Sequence, residues 1–151
     1  MIRKLDIRVK ETAEKVLNIQ IPAYQVEAEM IGSFEIPPLK DTVETLQTCG
    51  ETFFGYYSDE QLCGVISFKA NNEEVDIHRL IVHPDHFRKG IAQALLDFIE
   101  ANFKMNRMIV ATASKNVPAV RFYKKNGYQV IKEVMVNGNL SLTYFEKQLN
   151  W

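Results

Sequence analysis

The stretch HPDHFRKGIAQALL, residues 83–96, joins a proline turn to two positive charges, a glycine and an apolar helical run. The first amides of a helix have no acceptor within the helix, and they lie at the positive end of the helix dipole. Two cations, Arg88 and Lys89, and the flexible backbone of Gly90 at this position indicate a site that attracts an anion. A tight turn with solvated cations explains the same residues, so the rest of the chain must decide.

The elements around this stretch alternate between strands and helices. Aromatic and β-branched residues indicate strands, and apolar residues spaced three and four apart indicate helices. Seven strands are predicted, at residues 1–5, 52–57, 61–69, 74–82, 107–112, 128–136 and 139–147. Helices are predicted at residues 11–30, in two pieces because Pro22 interrupts the pattern, and at 42–48, 91–102 and 116–127.

The predicted strand at residues 74–82 leads directly into the opening stretch. Its side chains alternate between two faces, as expected for a strand that is covered on both sides. One face is predicted to carry Val75, Ile77, Arg79 and Ile81, and the other Asp76, His78, Leu80 and Val82.

Composition excludes several classes of function. The 151 residues are 46% hydrophobic and 25% charged, which is typical of one globular domain. A net charge of −1 provides no basic field for a nucleic acid partner. Two cysteines outside any CxxC pair, a charged start and the lack of a long apolar run predict an unexported cytoplasmic chain without a membrane span.

Two motifs resemble those of the GNAT family of N-acetyltransferases, after the P-loop and GxGxxG patterns are found absent. The family pattern [QR]-x-x-G-x-[GA] is matched by Gly90 and Ala92, with Phe87 in place of its Gln or Arg. A second signature downstream is matched by Asn116, Ala119, Tyr123, Gly127 and Tyr128. The resemblance implies an α/β (α+β) fold: one domain over residues 1–151, with a mixed, mostly antiparallel sheet of about seven strands, about four helices and a central splayed strand pair.

The resemblance also implies a site for acetyl-coenzyme A. Its pyrophosphate is expected on the backbone amides of the turn and the helix start, Arg88, Lys89, Gly90, Ile91, Ala92 and Gln93. These amides do not depend on the side chain at Phe87. The pantetheine arm is expected along Leu80, Ile81 and Val82. Asn116 either contacts the coenzyme or caps its helix, or does both.

Catalytic candidates follow from the same resemblance and from the need for a neutral amine. Tyr123 is expected to protonate the departing thiolate, unless it only packs its helix onto the sheet. Asp76 and His78 are candidate general bases, against a solvated carboxylate and a packed histidine. A second base position used in the family holds Ala111, which cannot accept a proton. Cys63 has no neighbour in sequence that would activate it, and the histidine spacing favours no metal site.

The expected reaction is direct transfer of an acetyl group from acetyl-coenzyme A to a primary amine, on a small molecule or a peptide, in a ternary complex. The acceptor is expected beside residues 20–42, which contain Tyr24, Glu27, Glu29, Phe34, Glu35 and Asp41. A homodimer through the terminal hairpin with Trp151 stays open. So does a non-catalytic acetyl-coenzyme A-binding module of the same fold, acting as a sensor or assembly component. A tRNA-modifying acetyltransferase is disfavoured by the near-neutral charge.

Overall fold

A computed structural model describes residues 1–149 of the chain and shows one seven-stranded sheet. The strands lie in the order β1-β2-β3-β4-β5-β7-β6, and every neighbouring pair is antiparallel except β4 and β5. Their bounds are β1 (Ile2–Leu5), β2 (Thr52–Ser58), β3 (Gln61–Ala70), β4 (Glu74–Val82), β5 (Arg107–Ala113), β6 (Gln129–Asn137) and β7 (Leu140–Gln148). The predicted mixed sheet of seven strands is confirmed.

Four α-helices cover the sheet: α1 (Lys10–Ile31), α2 (Val43–Gln47), α3 (Ile91–Asn102) and α4 (Val117–Lys125). The prediction of two helical pieces in residues 11–30 is wrong, because α1 continues through Pro22. A proline removes one backbone donor, at a cost of about 3 kcal/mol in a helix interior. Here α1 buries apolar side chains on both sides of that residue, including Val16 and Ile31, and tertiary packing of this kind outweighs the local cost.

Each face of the sheet has its own core. α1 and α2 cover one core, which contains Val16, Ile19, Leu46, Phe53, Val65 and Ile81. α3 and α4 cover the other, which contains Ile66, Phe68, Ile77, Leu95, Ile99, Tyr123 and Phe145. The central strands β3 and β4 contribute to both cores, as expected for strands with helices on both faces.

Both ends of α4 are capped by the residues that the sequence predicts. The Asn116 side chain accepts a hydrogen bond from the Ala119 amide at the start of the helix. At its end Gly127 has a φ of +89°, and the amides of Gly127 and Tyr128 donate back to the carbonyls of Lys124 and Tyr123. This pair of bonds is a Schellman motif, which directs the chain from α4 into β6.

Within residues 1–149 no helix is both long and apolar enough to cross a bilayer. Trp151, which the sequence suggests as part of a dimer surface, lies outside the described residues.

Candidate active site

The central strands β4 and β5 separate into a fork. Their parallel pairing ends where Ile77 lies opposite Val110. Beyond this point β4 continues to Val82 with β3 as its only partner strand, while β5 continues to Ala113 beside β7. The predicted splayed pair is present, and its open side exposes backbone groups of β4 that have no partner strand.

A β-bulge at His78 changes which side chains of β4 share a face. The bulge falls between Ile77 and Arg79, each of which pairs with β3. After it, Leu80 and Val82 pack on the same core as Ile77, on the side of α3 and α4. The predicted alternation, which placed Ile77 and Arg79 on one face, is wrong beyond His78, because the extra residue of a bulge reverses the pattern.

Leu80, Ile81 and Val82, which are predicted to lie beside the coenzyme, belong to the part of β4 that pairs with β3 but no longer with β5. Leu80 and Val82 are half-buried, whereas Ile81 is buried in the core beneath α1. Their side chains thus hold the strand between both cores and leave its backbone edge facing the fork.

The turn between β4 and α3 presents six consecutive amides, those of residues 88–93, without a hydrogen-bond acceptor in residues 1–149. Arg88 has a φ of +64° and Gly90 a φ of +76°, with Lys89, a residue of negative φ, between them. Turns in which φ changes sign from one residue to the next direct successive amides to one side and bind anions, and this turn leads into a helix start. Gly90 supplies no capping side chain, and a Cβ added to it would meet nothing within 4 Å.

The side chains of this turn are directed away from one another. Arg88 and Lys89 are exposed, and the Nζ of Lys89 lies 3.3 Å from the Nδ1 of His86. The Gln93 amide group donates to Asp97 and to Asn126, which ties the first turn of α3 to the end of α4. The backbone amides of this turn are therefore available to a ligand, and the exposed side chain of Arg88 lies beside them.

Tyr123 is buried against the sheet from α4. Its ring contacts Tyr128 and Phe145, with centroids 5.6 Å and 5.7 Å away. Burial raises the pKa of Tyr123 well above its usual value, and the nearby Tyr24 and Glu27 raise it further. Because α1 and α4 lie on opposite faces of the sheet, these residues approach one another through the fork.

Glu27 reaches the same place from α1. The side chain of Asn116 and the amide of Ala113 both act on its carboxylate and lower its pKa, but burial outweighs them and the net shift is upward. Asn116 caps α4 through its oxygen, which leaves its amide group free to face Glu27. The predicted cap by Asn116 is present, and its contact with the coenzyme stays a prediction.

Asp76 and His78 lie together at the base of the fork. The Nε2 of His78 is 3.3 Å from the Oδ2 of Asp76, and its Nδ1 is 3.5 Å from the Oε2 of Glu51. Burial raises the pKa of Asp76, while the nearby His78 lowers it in part. The structure thus brings together both predicted base candidates and adds a second carboxylate to the pair.

An ion network below the fork has no counterpart in the sequence-based predictions. Arg79 donates to Asp41 at 2.7 Å, to Gln20 at 2.9 Å and to Glu51 at 3.1 Å, and Ser67 donates to Glu51 at 2.6 Å. Burial opposes ionisation of both acids, but the hydrogen bonds from Arg79 and other donors hold their pKa values below the usual range. No local motif signals this network, because its members are far apart in sequence.

The other residues expected near an acceptor do not all reach the fork. Glu29 and Phe34 are exposed, and Glu35 pairs with Lys40 at 3.0 Å on the surface. Asp41 is occupied by Arg79. Of the predicted acceptor group, Tyr24 and Glu27 are the two that influence Tyr123.

Thiol and metal chemistry find little support in residues 1–149. Cys63 is fully buried, and its thiol donates to the carbonyl of Gln61 at 3.3 Å. The described residues contain no group of three His, Cys, Asp or Glu side chains placed to hold a metal ion.

Comparison with known proteins places this architecture. Residues 21–149 match a family described as "Acetyltransferase (GNAT) domain". The chain belongs to the GNAT acetyltransferase family. The family resemblance inferred from the two sequence motifs is confirmed.

Individual GNAT relatives differ in how much of the chain they share. The UPF0157 protein YqkA of Bacillus subtilis is 42% identical over 146 residues, covering 96% of this chain and 43% of that protein. The chain spans less than half the length of the curated relatives it matches.

Among solved structures, the PaiA N-acetyltransferase from Thermoplasma acidophilum in complex with coenzyme A has a TM-score of 0.80 at 21% identity, covering 99% of this chain and 98% of that one. The ribosomal-protein-S18-alanine N-acetyltransferase from Escherichia coli has a TM-score of 0.79 at 13% identity, covering 100% and 94%. At these identities the likeness shows the fold.

Proposed function

We propose that this chain is an acetyl-coenzyme A-dependent N-acetyltransferase that transfers an acetyl group to a primary amine by direct attack in a ternary complex. The observation that carries the proposal is the row of six amides at residues 88–93 without an acceptor, placed at the end of the forked β4. A pyrophosphate would supply acceptors to this turn and a negative charge to the start of α3.

The rest of the coenzyme has a matching surface. The pantetheine arm carries amides of its own, and the unpaired edge of β4 at residues 80–82 offers backbone partners for them. Arg88 and Lys89 are exposed beside the turn and add positive charge to it. Similar proteins support this assignment, because the Thermoplasma PaiA enzyme was solved with coenzyme A.

Tyr123 is proposed as the general acid. A thioester releases a thiolate, the conjugate base of a thiol with a pKa of about 8.5. A neutral phenol close to the sulfur can protonate this thiolate. Burial keeps the pKa of Tyr123 high, so its hydroxyl carries its proton at neutral pH. Within residues 1–149 this hydroxyl makes no hydrogen bond and is not fully buried, so it is free to donate to a ligand in the fork.

Direct attack is preferred over a covalent acetyl-cysteine because Cys63 is buried in the core and donates to a backbone carbonyl. Removal of the amine proton is open to Asp76 and His78, which contact each other at the base of the fork. The half-exposed position of both groups allows them to exchange protons with water.

The proposal is tested by calorimetric titration of coenzyme A and acetyl-coenzyme A into the wild type, Gly90→Glu and Gly32→Glu. Both glycines are exposed, have a positive φ and have open space around them, but only Gly90 lies in the amide turn. We expect wild-type binding in Gly32→Glu and a loss of at least tenfold in Gly90→Glu. Equal binding by all three proteins, or none by the folded wild type, would refute the coenzyme site. Tight binding without turnover of any amine would favour the non-catalytic module.

A further inference from the structure

We propose that Glu27 of α1 receives the ammonium group of the acceptor in the fork and takes its proton. The acceptor is then an amine that is positively charged in water, and it enters from the face of the sheet covered by α1. This inference rests on the proposed function, and it adds a third base candidate to the two on β4, Asp76 and His78.

The packing of α1 places Glu27 at the open end of the fork. Ala28 and Ile31, on the same part of α1, are buried against Ala113, the last residue of β5. The Ala113 amide at the end of β5 and the Asn116 side chain at the start of α4 both lower the pKa of Glu27, so both lie near its carboxylate. Glu27 is therefore placed where α1, β5 and α4 meet.

Charge pairing sets Glu27 apart from the other half-buried acids of residues 1–149. Every other half-buried carboxylate has an Arg, Lys or His partner within 4 Å, whereas Glu27 has none. The paired acids are Asp41 and Glu51 with Arg79, Glu74 and Glu146 with Arg107, Glu100 with Lys147, and Asp76 with His78.

A half-buried carboxylate without a cation keeps an uncompensated desolvation cost. An acceptor ammonium in the fork would supply the missing positive charge. The same burial raises the pKa of Glu27, which makes its carboxylate a stronger base toward a bound amine.

Glu27 influences the pKa of the proposed acid, Tyr123, whereas neither of the two base candidates on β4 does. Tyr24 and Glu27, both on α1, are the ionisable neighbours that raise the pKa of Tyr123, whereas the groups that act on the pKa of Asp76 are His78, Glu74 and Glu51. An amine that attacks a thioester whose sulfur lies beside Tyr123 therefore comes within the surroundings of Glu27.

The transfer balances with these groups. The Glu27 carboxylate takes one proton from the ammonium, and the neutral amine attacks the thioester carbonyl carbon. A C–N bond forms, the C–S bond breaks, and the thiolate leaves with the proton of the Tyr123 hydroxyl. The nitrogen loses its second proton as the amide forms; one of the two protons restores Tyr123 and the other is released to water.

The test compares Glu27→Gln and Glu27→Asp with Asp76→Asn and with Glu14→Gln, a control that neutralises an exposed acid on the same helix. Calorimetry with coenzyme A gives the coenzyme affinity of each protein. Thiol release from acetyl-coenzyme A is then followed against pH with benzylamine, ethanolamine and glycinamide as acceptors, and with water alone. Thermal unfolding at pH 7 reports a purely structural role.

We expect Glu27→Gln to bind coenzyme A as the wild type does, to unfold at the same or a higher temperature, and to release thiol at least 100-fold more slowly. The acid limb of its kcat/KM profile should disappear, and Glu27→Asp should restore part of the rate. The inference would be overturned if Glu27→Gln released thiol at the wild-type rate, or if only Asp76→Asn showed the 100-fold slower release. It would also be overturned if the wild type bound coenzyme A but released no thiol with any of the amines. Failure of the wild type to bind coenzyme A would instead refute the proposed function.

Discussion

The Nη1 of Arg79 lies 2.7 Å from the Oδ2 of Asp41, although 38 positions separate the two residues in the chain. The same guanidinium donates through its Nε to Glu51 at 3.1 Å, and its side chain is only 11% exposed. Because Arg79 directly follows the bulge at His78, this network holds β4 in place at the point where it separates from β5.

The first prediction concerns the stability of this network. Arg79→Met should lower the free energy of unfolding by about 3–5 kcal/mol, because it leaves Asp41 and Glu51 without their buried partner. Urea denaturation at pH 7 measures the change. The matched control is Arg3→Met, which removes an exposed ion pair with Glu60 and should cost no more than about 1 kcal/mol. Equal losses in the two variants would contradict the burial argument.

The second prediction is a loss of stability in acid. The folded-state pKa values of Asp41 and Glu51 lie below their ordinary values, because the hydrogen bonds from Arg79 outweigh the effect of burial. Their contribution is therefore fully present above the unfolded pKa of about 4 and is lost as the pH falls below it. Urea unfolding at pH 7, 5 and 3 should show a steep decrease between the last two values.

Variants separate this network from the other carboxylates. Glu51→Gln should be less stable at pH 7 but should lose less on acidification than the wild type does. Glu44→Gln, which removes an exposed carboxylate of α2, should leave the slope unchanged. If Glu51→Gln lost as much free energy of unfolding between pH 5 and pH 3 as the wild type does, protonation of other groups would be the cause of the acid sensitivity.

Local patterns in the sequence are sufficient to predict most of the elements. Strand and helix bounds follow from alternation, capping residues and turns such as Asn116 and Gly127. Two features depend on tertiary contacts and could not be predicted in this way. α1 continues through Pro22 because of packing on both sides, and the bulge at His78 reverses the faces of β4.

Some parts of the candidate site also follow from local sequence patterns, whereas others depend on tertiary contacts. The amide turn and Tyr123 lie within continuous motifs, so the sequence predicted where both would be found. The environment of Glu27 depends on α1, β5 and α4 meeting at one end of the fork, and no spacing within a single segment reports that meeting. Its lack of a cationic partner is visible only once every other pair has formed.

The third prediction concerns Gly64 of β3, which lets α3 approach the sheet. A Cβ at this position would lie 2.7 Å from the Cγ2 of Ile91 and 3.2 Å from the carbonyl oxygen of Ile81. Gly64→Ala should therefore cost about 1–3 kcal/mol and displace the start of α3. Since the amides of residues 91–93 move with it, coenzyme affinity should fall as well.

A double variant tests the cause of that effect. Gly64→Ala combined with Ile91→Ala removes the clashing methyl group, so the two stability losses should be less than additive. Gly138→Ala, with open space around the added Cβ, should change neither stability nor affinity. Additive losses in the double variant would show that Ile91 does not transmit the strain. Calorimetry and urea denaturation provide the two readouts.

The fourth prediction separates two neighbouring tyrosines by what their hydroxyls do. Tyr123→Phe should keep its ring contacts and its stability, because the hydroxyl makes no hydrogen bond within residues 1–149. Its maximal rate should fall about 100-fold while coenzyme affinity stays constant, as expected for the loss of a general acid. Tyr128→Phe should behave in the opposite way, because its hydroxyl donates to Glu100 at 2.7 Å, and the loss should cost about 1–2 kcal/mol with little effect on rate. Steady-state kinetics and urea denaturation of both variants measure the rate and the stability. An unchanged maximal rate in Tyr123→Phe would show that Tyr123 only packs and is not the general acid.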